Sequence, residues 1–426
     1  MIRFVRCFIV LLMLFSYCEE GIAEISEVFT WEECVKEAKA HNPELVVAAE
    51  KLNQAVDDKL IAESGLLPQA GIAASGKKSK VSAQQEVNTS SYSLTGRQLL
   101  FDGFKISADS ESAARLIKAA RYNYDVVSSD VRLRLRNAFV ELMRANALLW
   151  VTESIRARKN QNLKLVSLRY NAGREHKGSL ALAVADVAQA DLEVTEARRA
   201  IELSQRRLLK ELGRDVFSLI TADGNLESPV KDSAKPEFEA MATSTPFLNE
   251  LIARKESAQF DVKAAKANYF FPKVYADGSL GVSDTKAAPY RSEWSTGLTL
   301  SYPFLEGGKK VAEIKKAKAR LSESQAQERS GRDGVIYTLQ ETWTEWQNAM
   351  DNVRVRQNFL EAAELRARIT QAQYSNGLAL FDNWIIIEDG LSYDKKAYLN
   401  SMAEALIAEA YWIQAKGGTL DYDEEA

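Results

Sequence analysis

Two histidines, His41 and His176, and three cysteines, Cys7, Cys18 and Cys34, are the whole stock of soft metal ligands and thiols in this sequence of 426 residues. That stock is too small for most zinc sites, thiol redox pairs or a disulfide framework. No G-x-S-x-G elbow, Walker loop, H-E-x-x-H helix or paired-cysteine motif occurs. The carboxylates are scattered along polar helical stretches, the pattern of solvated faces and not of an acid–base pair. The expectation is a protein with no catalytic residues, no cofactor and no metal. One side chain has a chemical fate of its own. Cys18 follows a short apolar run and can become a lipidated N-terminus, although Tyr17 before it is bulky where a small residue is usual.

That apolar run, FIVLLMLF at 8–15, sits behind Arg3 and Arg6. It is far too short for a lasting membrane anchor and reads as a secretory signal. Gly21-Ile22-Ala23 offers a competing cleavage site that leaves Glu24 first and makes 1–23 the signal peptide. By either route the chain leaves the cytoplasm. Lys and Arg number 55 against 59 Asp and Glu, so the net charge is −4. With no basic cluster, nucleic acid is not an expected partner. Hydrophobic residues make up 46%, too few for a bundle of membrane helices.

The elements that carry these residues come in two sets. An offset of 204 residues brings Pro68 onto Pro272, Gly103 onto Gly307, Tyr170 and Gly173 onto Tyr374 and Gly377, and Gly213 onto Gly417. A constant offset through such landmarks reads as a duplicated unit. The expected domains are a first repeat at 24–217, a linker at 218–245, a second repeat at 246–417 and an acidic tail at 418–426. Each repeat reads as a helix (44–65, 247–269), a strand pair opened by proline, a very long helix (104–170, 308–374), a glycine turn and a returning helix (180–212, 381–416). No proline occurs between Pro68 and Pro229 or after Pro303, and no glycine from 104 to 172. Sixty-seven helical residues reach about 100 Å, so they must lie along other long helices. Gly331 and Gly334 predict a bend or weak turn in the second copy. Thr30-x-x-Glu33 predicts a capping box, with Pro43 ending that helix.

The strands alternate. Val274, Ala276, Gly278, Leu280 and Val282 fall on one face, as do Trp294, Leu298, Leu300, Tyr302 and Phe304. In the first copy Ala70, Ile72, Ala74, Tyr92, Leu94 and Leu100 do the same. Such strands fit an ordinary half-buried hairpin or a membrane barrel. Four strands cannot close a barrel, and open edges are not tolerated in lipid. A membrane location therefore requires several chains to share one barrel, with the polar links 77–90 and 284–292 as its far loops.

Read together, TWEECVKEAKAHNPEL at 30–45, GLLP at 65–68, LLFDGFK at 99–105, YNAG at 170–173, YFFP at 269–272, YPFLEGGKK at 302–310 and YSNG at 374–377 resemble the outer membrane efflux (TolC-like) family over nearly all of the mature chain. The resemblance implies a mainly helical fold with a β-barrel portion. Three chains would form a homotrimer with a twelve-stranded barrel in the outer membrane of a Gram-negative bacterium, continued by an α-helical barrel across the periplasm. It implies a passive exit duct for efflux or type I secretion, whose partners are outer membrane lipid, a periplasmic adaptor and an inner-membrane transporter.

On that pattern the two glycine turns, with Tyr170, Gly173, Tyr374 and Gly377, are the tips where the adaptor docks. The first turn, NAGREHKGSL, is longer and more charged than SNGLALFD, so the tips are not equivalent. The family narrows its periplasmic opening on the second returning helix, where the candidates are Asp382, Glu388 and Asp389, with Glu175 and Asp186 in the first copy. The family's usual acidic position falls near Ile386. A ring of carboxylates in a narrow pore favours cations, whereas acids at a helix start also suit its dipole. Trp294 and Tyr302 are candidates for interfacial aromatics. Trp343, Trp346, Trp384 and Trp412 are expected to pack between helices, and His176 to be a pH-sensitive contact or a bystander. The alternatives are a periplasmic adaptor, which would carry one helical hairpin between soluble β modules, and a coiled-coil filament, which would carry no lipid-facing strands.

Overall fold

The computed structural model describes residues 27–80, 87–226, 235–285 and 288–422. The expected signal peptide and Cys18 lie outside these residues. The chain divides into two compact units. One comprises Met1–Asn42, Leu133–Lys231 and Trp346–Ala410, the other Pro43–Arg132, Asp232–Glu345 and Tyr411–Ala426.

The elements, in order, are β1 (Glu27–Phe29), α1 (Trp31–His41), α2 (Pro43–Ser64), β2 (Gln69–Ser79), β3 (Val87–Phe101), α3 (Lys105–Asn171), α4 (Lys177–Leu212), β4 (Ile220–Ala222), α5 (Phe238–Ala242), α6 (Pro246–Phe270), β5 (Lys273–Thr285), β6 (Ala288–Ser301), α7 (Lys309–Ser375) and α8 (Phe381–Ala415). Both long helices, α3 and α7, have 67 residues and start 204 positions apart. α1 opens on the expected capping box: Thr30 Oγ1 accepts the Glu33 N–H at 3.3 Å, and Glu33 Oε2 accepts the Thr30 N–H at 2.9 Å. Pro43 follows the end of α1 and becomes the first residue of α2, where its missing N–H costs nothing. No helix among the described residues is long and apolar enough to cross a membrane.

In the first unit, β1 pairs in parallel with β4, from Glu27 opposite Ile220 to Phe29 opposite Ala222. The stretch read as linker therefore contributes a strand here, and α5 to the other unit; residues 227–234 lie outside the described ones. Cys34 is buried in this unit, and burial, then the nearby Glu37 and Glu33, push its thiol up to about 12. It is a packed apolar group, not a reactive one.

In the second unit, β2, β3, β5 and β6 form one antiparallel sheet in that order. The strands extend further into the polar links than the sequence suggests, because pairing persists to Ser79 opposite Val87 and Thr285 opposite Ala288. β6 ends at Ser301, so Tyr302 and Phe304 lie beyond the strand on which they were expected. The register stacks Ile72, Leu94, Leu280 and Trp294 in one row, next to Tyr92 and Val282. These side chains share one face and are exposed, Trp294 at 74%. The opposite face is polar. Ser75 and Ser91 hydroxyls lie 2.8 Å apart, as do Ser279 and Ser295, and the Arg97 guanidinium donates to Asp277 at 2.6 Å.

α7 does not break at Gly331 or Gly334. A Cβ added at Gly331 would come 2.2 Å from Leu251 Cδ1 on α6. The glycine that looked like an interruption serves close helix packing, and the intact hydrogen bonding of its helical neighbours carries the chain through. Trp343 and Trp412 both edge onto Phe238 of α5, with ring centroids 6.1 and 6.5 Å away. The tail is packed as far as it is described: Leu420 is buried, and its N–H donates to Ser128 Oγ at 3.1 Å.

Candidate functional site

The ends of α3 and α7 and the starts of α4 and α8 come together within the first unit. Both long helices stop the same way. Gly173 and Gly377 adopt φ of 69° and 77°. Their N–H groups return to the carbonyls of Tyr170 and Tyr374 at 2.9 and 3.0 Å, and the next N–H groups return to Arg169 and Gln373, each at 2.8 Å. This is the Schellman arrangement, which satisfies the last carbonyls and requires a left-handed residue. An added Cβ would meet nothing at either glycine, so the dihedral alone demands it.

Tyr374, Trp384, Phe381, Ile385, Val166 and Ala183 form a buried cluster at this end. The rings of Tyr374 and Trp384 stack at 4.2 Å. Tyr374 is fully buried, so this side chain packs the hairpins and does not face outward. Tyr170 is part exposed. Arg169 lies over the Tyr374 ring at 4.5 Å and donates to its carbonyl at 2.7 Å. The Tyr374 hydroxyl donates to Glu175 Oε2 at 2.9 Å, while Glu175 Oε1 accepts from Ser179 Oγ at 2.9 Å and from the His176 N–H at 3.2 Å. His176 is the N-cap of α4, its Nδ1 accepting the Ser179 N–H at 3.2 Å, a local structural role the sequence did not reveal.

A second layer is ionic. The Arg158 guanidinium straddles Glu388, with Nε to Oε2 at 2.5 Å and Nη2 to Oε1 at 2.7 Å, and Asn162 adds a donor to Glu388 Oε2 at 3.1 Å. Lys159 Nζ donates to Asp186 at 3.0 Å and to Asp389 at 2.5 Å. α3 is thus tied to α8 and α4 at consecutive residues. The hydrogen bond to Glu388 holds the Arg158 pKa above its ordinary value. Burial alone would lower Lys159, but the bonds to Asp389 and Asp186 raise it on balance.

The five aperture candidates therefore divide. Glu388 is 1% exposed and paired, so it does not line an opening, which corrects that expectation: a buried carboxylate needs its cation, and Arg158 is within reach. Asp186 and Glu175 are partly covered and bound to partners on neighbouring elements. Asp382 and Asp389 are exposed. With Ile386 (68% exposed) and Tyr393 they form a stripe at i, i+4, i+7 and i+11, one face of α8. Arg158, Lys159 and Asn162 were not singled out from sequence, since Glu388 and Asp389 lie more than 200 residues away, Asp186 lies 27 away on another helix, and no local spacing points to them. Trp294 stays exposed, and Tyr302 is half exposed under Lys310, whose Nζ sits 5.3 Å from its ring.

The Tyr374–Glu175 link predicts an acid-sensitive tip. Burial works to raise the Glu175 pKa, but the bonds from Tyr374, Ser179 and His176 outweigh it and hold the group below its ordinary 4.5. A carboxylate lowered on folding contributes stability above its unfolded value and loses it as the pH falls through the folded one. Hydrogen exchange at 370–385 should therefore speed up as the pH drops below 4.5, after correction for intrinsic rates, and Glu175→Gln should flatten that dependence. An unchanged profile in the variant would remove Glu175 from the account.

Comparisons with known proteins agree with this architecture. The family described as "Outer membrane efflux protein" matches residues 34–214 and 240–380. Nodulation protein T of Rhizobium leguminosarum bv. trifolii is 21% identical over 411 residues, covering 92% of this chain and 82% of that protein. Outer membrane efflux protein BepC of Brucella suis is 21% identical over 308 residues, 72% of this chain and 67% of that one. The solved structure of CusC superposes with a TM-score of 0.82 at 16% identity, over 90% of this chain and 91% of the other, which establishes the shared fold. With both halves matched by one family and the whole architecture shared, the chain belongs to the outer membrane efflux protein family.

Proposed function

We propose that three copies of this chain form the passive exit duct of a tripartite efflux pump or type I secretion system. As a member of its family the chain is an outer membrane protein that extends into the periplasm. The single observation that carries the trimer is the four-stranded sheet. One of its faces is apolar and exposed, and β2 and β6 each pair on one side only among the described residues. A lipid-facing sheet with two open edges is not stable alone, whereas three such sheets joined edge to edge make a closed barrel of twelve strands. The polar face, with its serine pairs and the Arg97–Asp277 pair, then lines the lumen.

α3, α4, α7 and α8 supply the periplasmic tunnel, and the recurrence of strand pair, 67-residue helix and returning helix is the mark of a duplicated unit at 24–217 and 246–417. The turns at Gly173 and Gly377 are the docking tips for a periplasmic adaptor, which links the duct to an inner-membrane transporter. The exposed stripe of Asp382, Ile386 and Asp389 borders the aperture, so its ring is part acidic and part apolar.

Native mass in detergent, on protein from a Gram-negative outer membrane fraction, tests the reading. The expected particle has three times the chain mass and dissociates on heating. A monomer in the soluble periplasm would overturn it, because the sheet edges would then have nothing to join, and an adaptor-type protein would be the better account.

A further inference from the structure

At the helical end of the sheet the second unit holds a cleft of about 390 Å³ between the start of α3 and the end of α6. Its walls are Phe104, Phe260, Phe270 and Phe271, with Lys263 and Lys266 along one side. Phe104 is 71% exposed, and Phe270 is largely exposed as well. The cleft continues the apolar face of the sheet. Phe101, which follows Leu100 at the end of β3, packs edge-on against Phe104 at 5.9 Å and Phe271 at 6.1 Å.

The turn that presents Phe104 is unusual. Phe104 has φ of 67°, in the left-handed region that a bulky residue rarely occupies. Asp102 anchors the turn, its carboxylate accepting the N–H groups of Lys105 and Ile106 at 3.1 and 2.8 Å. The corresponding position 204 residues on is Gly308, with φ of 85°. The same turn is therefore made with glycine in one half, and in the other a strained phenylalanine is kept and pointed outward. Strain held at an exposed aromatic calls for a use.

The charges say what kind. Lys263 and Lys266 lie one turn apart on α6, and neither has a carboxylate partner among the described residues. Lys263 instead rests its Nζ 4.3 Å from the Phe260 ring centre. Glu111, the acid at the cleft, faces Arg115 at 3.9 Å. Two ammonium groups with no carboxylate partner among the described residues, beside an aromatic cleft at the border of an apolar sheet face, match a molecule with an anionic head and a hydrocarbon tail.

We propose that this cleft binds an anionic phospholipid of the leaflet at the helical end of the sheet. The acyl chain lies against Phe104, Phe270 and Phe271, and the phosphate sits on Lys263 and Lys266. The inference rests on the reading that the sheet faces lipid.

Native mass spectrometry of delipidated protein, titrated with phosphatidylglycerol or phosphatidylcholine, tests it with adducts counted per chain. Two lysines at a lipid surface predict about a thirtyfold preference for phosphatidylglycerol. Lys263→Ala with Lys266→Ala should abolish the preference. Phe104→Gly should weaken binding of both lipids while leaving the melting temperature equal or higher, since glycine takes this φ without strain. Equal binding of the two lipids, or an unchanged preference in the double variant, would overturn the site, as would displacement of the lipid by inorganic phosphate alone. A monomer that keeps the lysine-dependent preference would sink the shared barrel and leave the lipid site. A trimer without the preference would do the reverse.

Discussion

Glu388→Ala should destabilise the hairpin ends by about 3–5 kcal/mol, the cost of removing one partner of a buried ion pair. The carboxylate is 1% exposed, accepts two bonds from Arg158 and one from Asn162, and has no route to water when the pair is broken. The alanine strands a guanidinium that is itself only 27% exposed, and it leaves the Asn162 donor without its acceptor. Most of the cost is that stranded charge, not the attraction lost. Replacing Arg158 by Met together with Glu388 by Leu should therefore recover most of the stability. The readout is hydrogen exchange at 155–165 and 380–392, together with the melting temperature. If the tip sits at the periplasmic opening, the single variant should also raise the resting conductance of the trimer in a planar bilayer. A single variant as stable as the parent, or a double variant no better than the single, would show that this pair does not hold α3 to α8.

Leu280→Arg should abolish assembly in the outer membrane, whereas Ser279→Arg, one residue earlier, should be tolerated. Leu280 stands in the row Ile72–Leu94–Leu280–Trp294 on the apolar face, and Ser279 faces the other way, toward Ser295. An arginine on the lipid side of a barrel costs about 2–4 kcal/mol near the bilayer midplane, and symmetry places it in every chain of the assembly. On the polar face the same side chain reaches water. The measurement is the yield of heat-dissociable trimer in the outer membrane fraction. Equal yields for the two variants would mean that the two faces of the sheet see the same solvent, which is incompatible with a membrane barrel.

Much of this molecule was legible in the residues themselves. The first 67-residue helix followed from the absence of proline and glycine between Lys105 and Asn171, and the ends of both long helices from Gly173 and Gly377. The Thr30–Glu33 box and the place of Pro43 were equally local. The two faces of each strand followed from alternation of side chains of period two. These features are set by dihedral preferences and by neighbours within a few positions, so a linear reading reaches them.

Tertiary structure decided the rest. Gly331 looked like a helix break until α6 brought Leu251 against it. Glu388 looked like an aperture residue until Arg158, 230 positions away, took it up, while Asp382 and Asp389 on the same helix stayed exposed. Tyr374 could have faced a partner, but its ring stacks on Trp384 and its hydroxyl is held by Glu175. The sheet order, with β3 beside β5, joins the two halves of the chain, and no strand carries that information alone. Whether a charge is buried, paired or free depends on which distant element packs over it, and burial is a property of the assembled fold. The sequence by itself determined the elements and their repetition; only the packing of those elements determined which charges are locked away and which remain to meet lipid, cargo or partner.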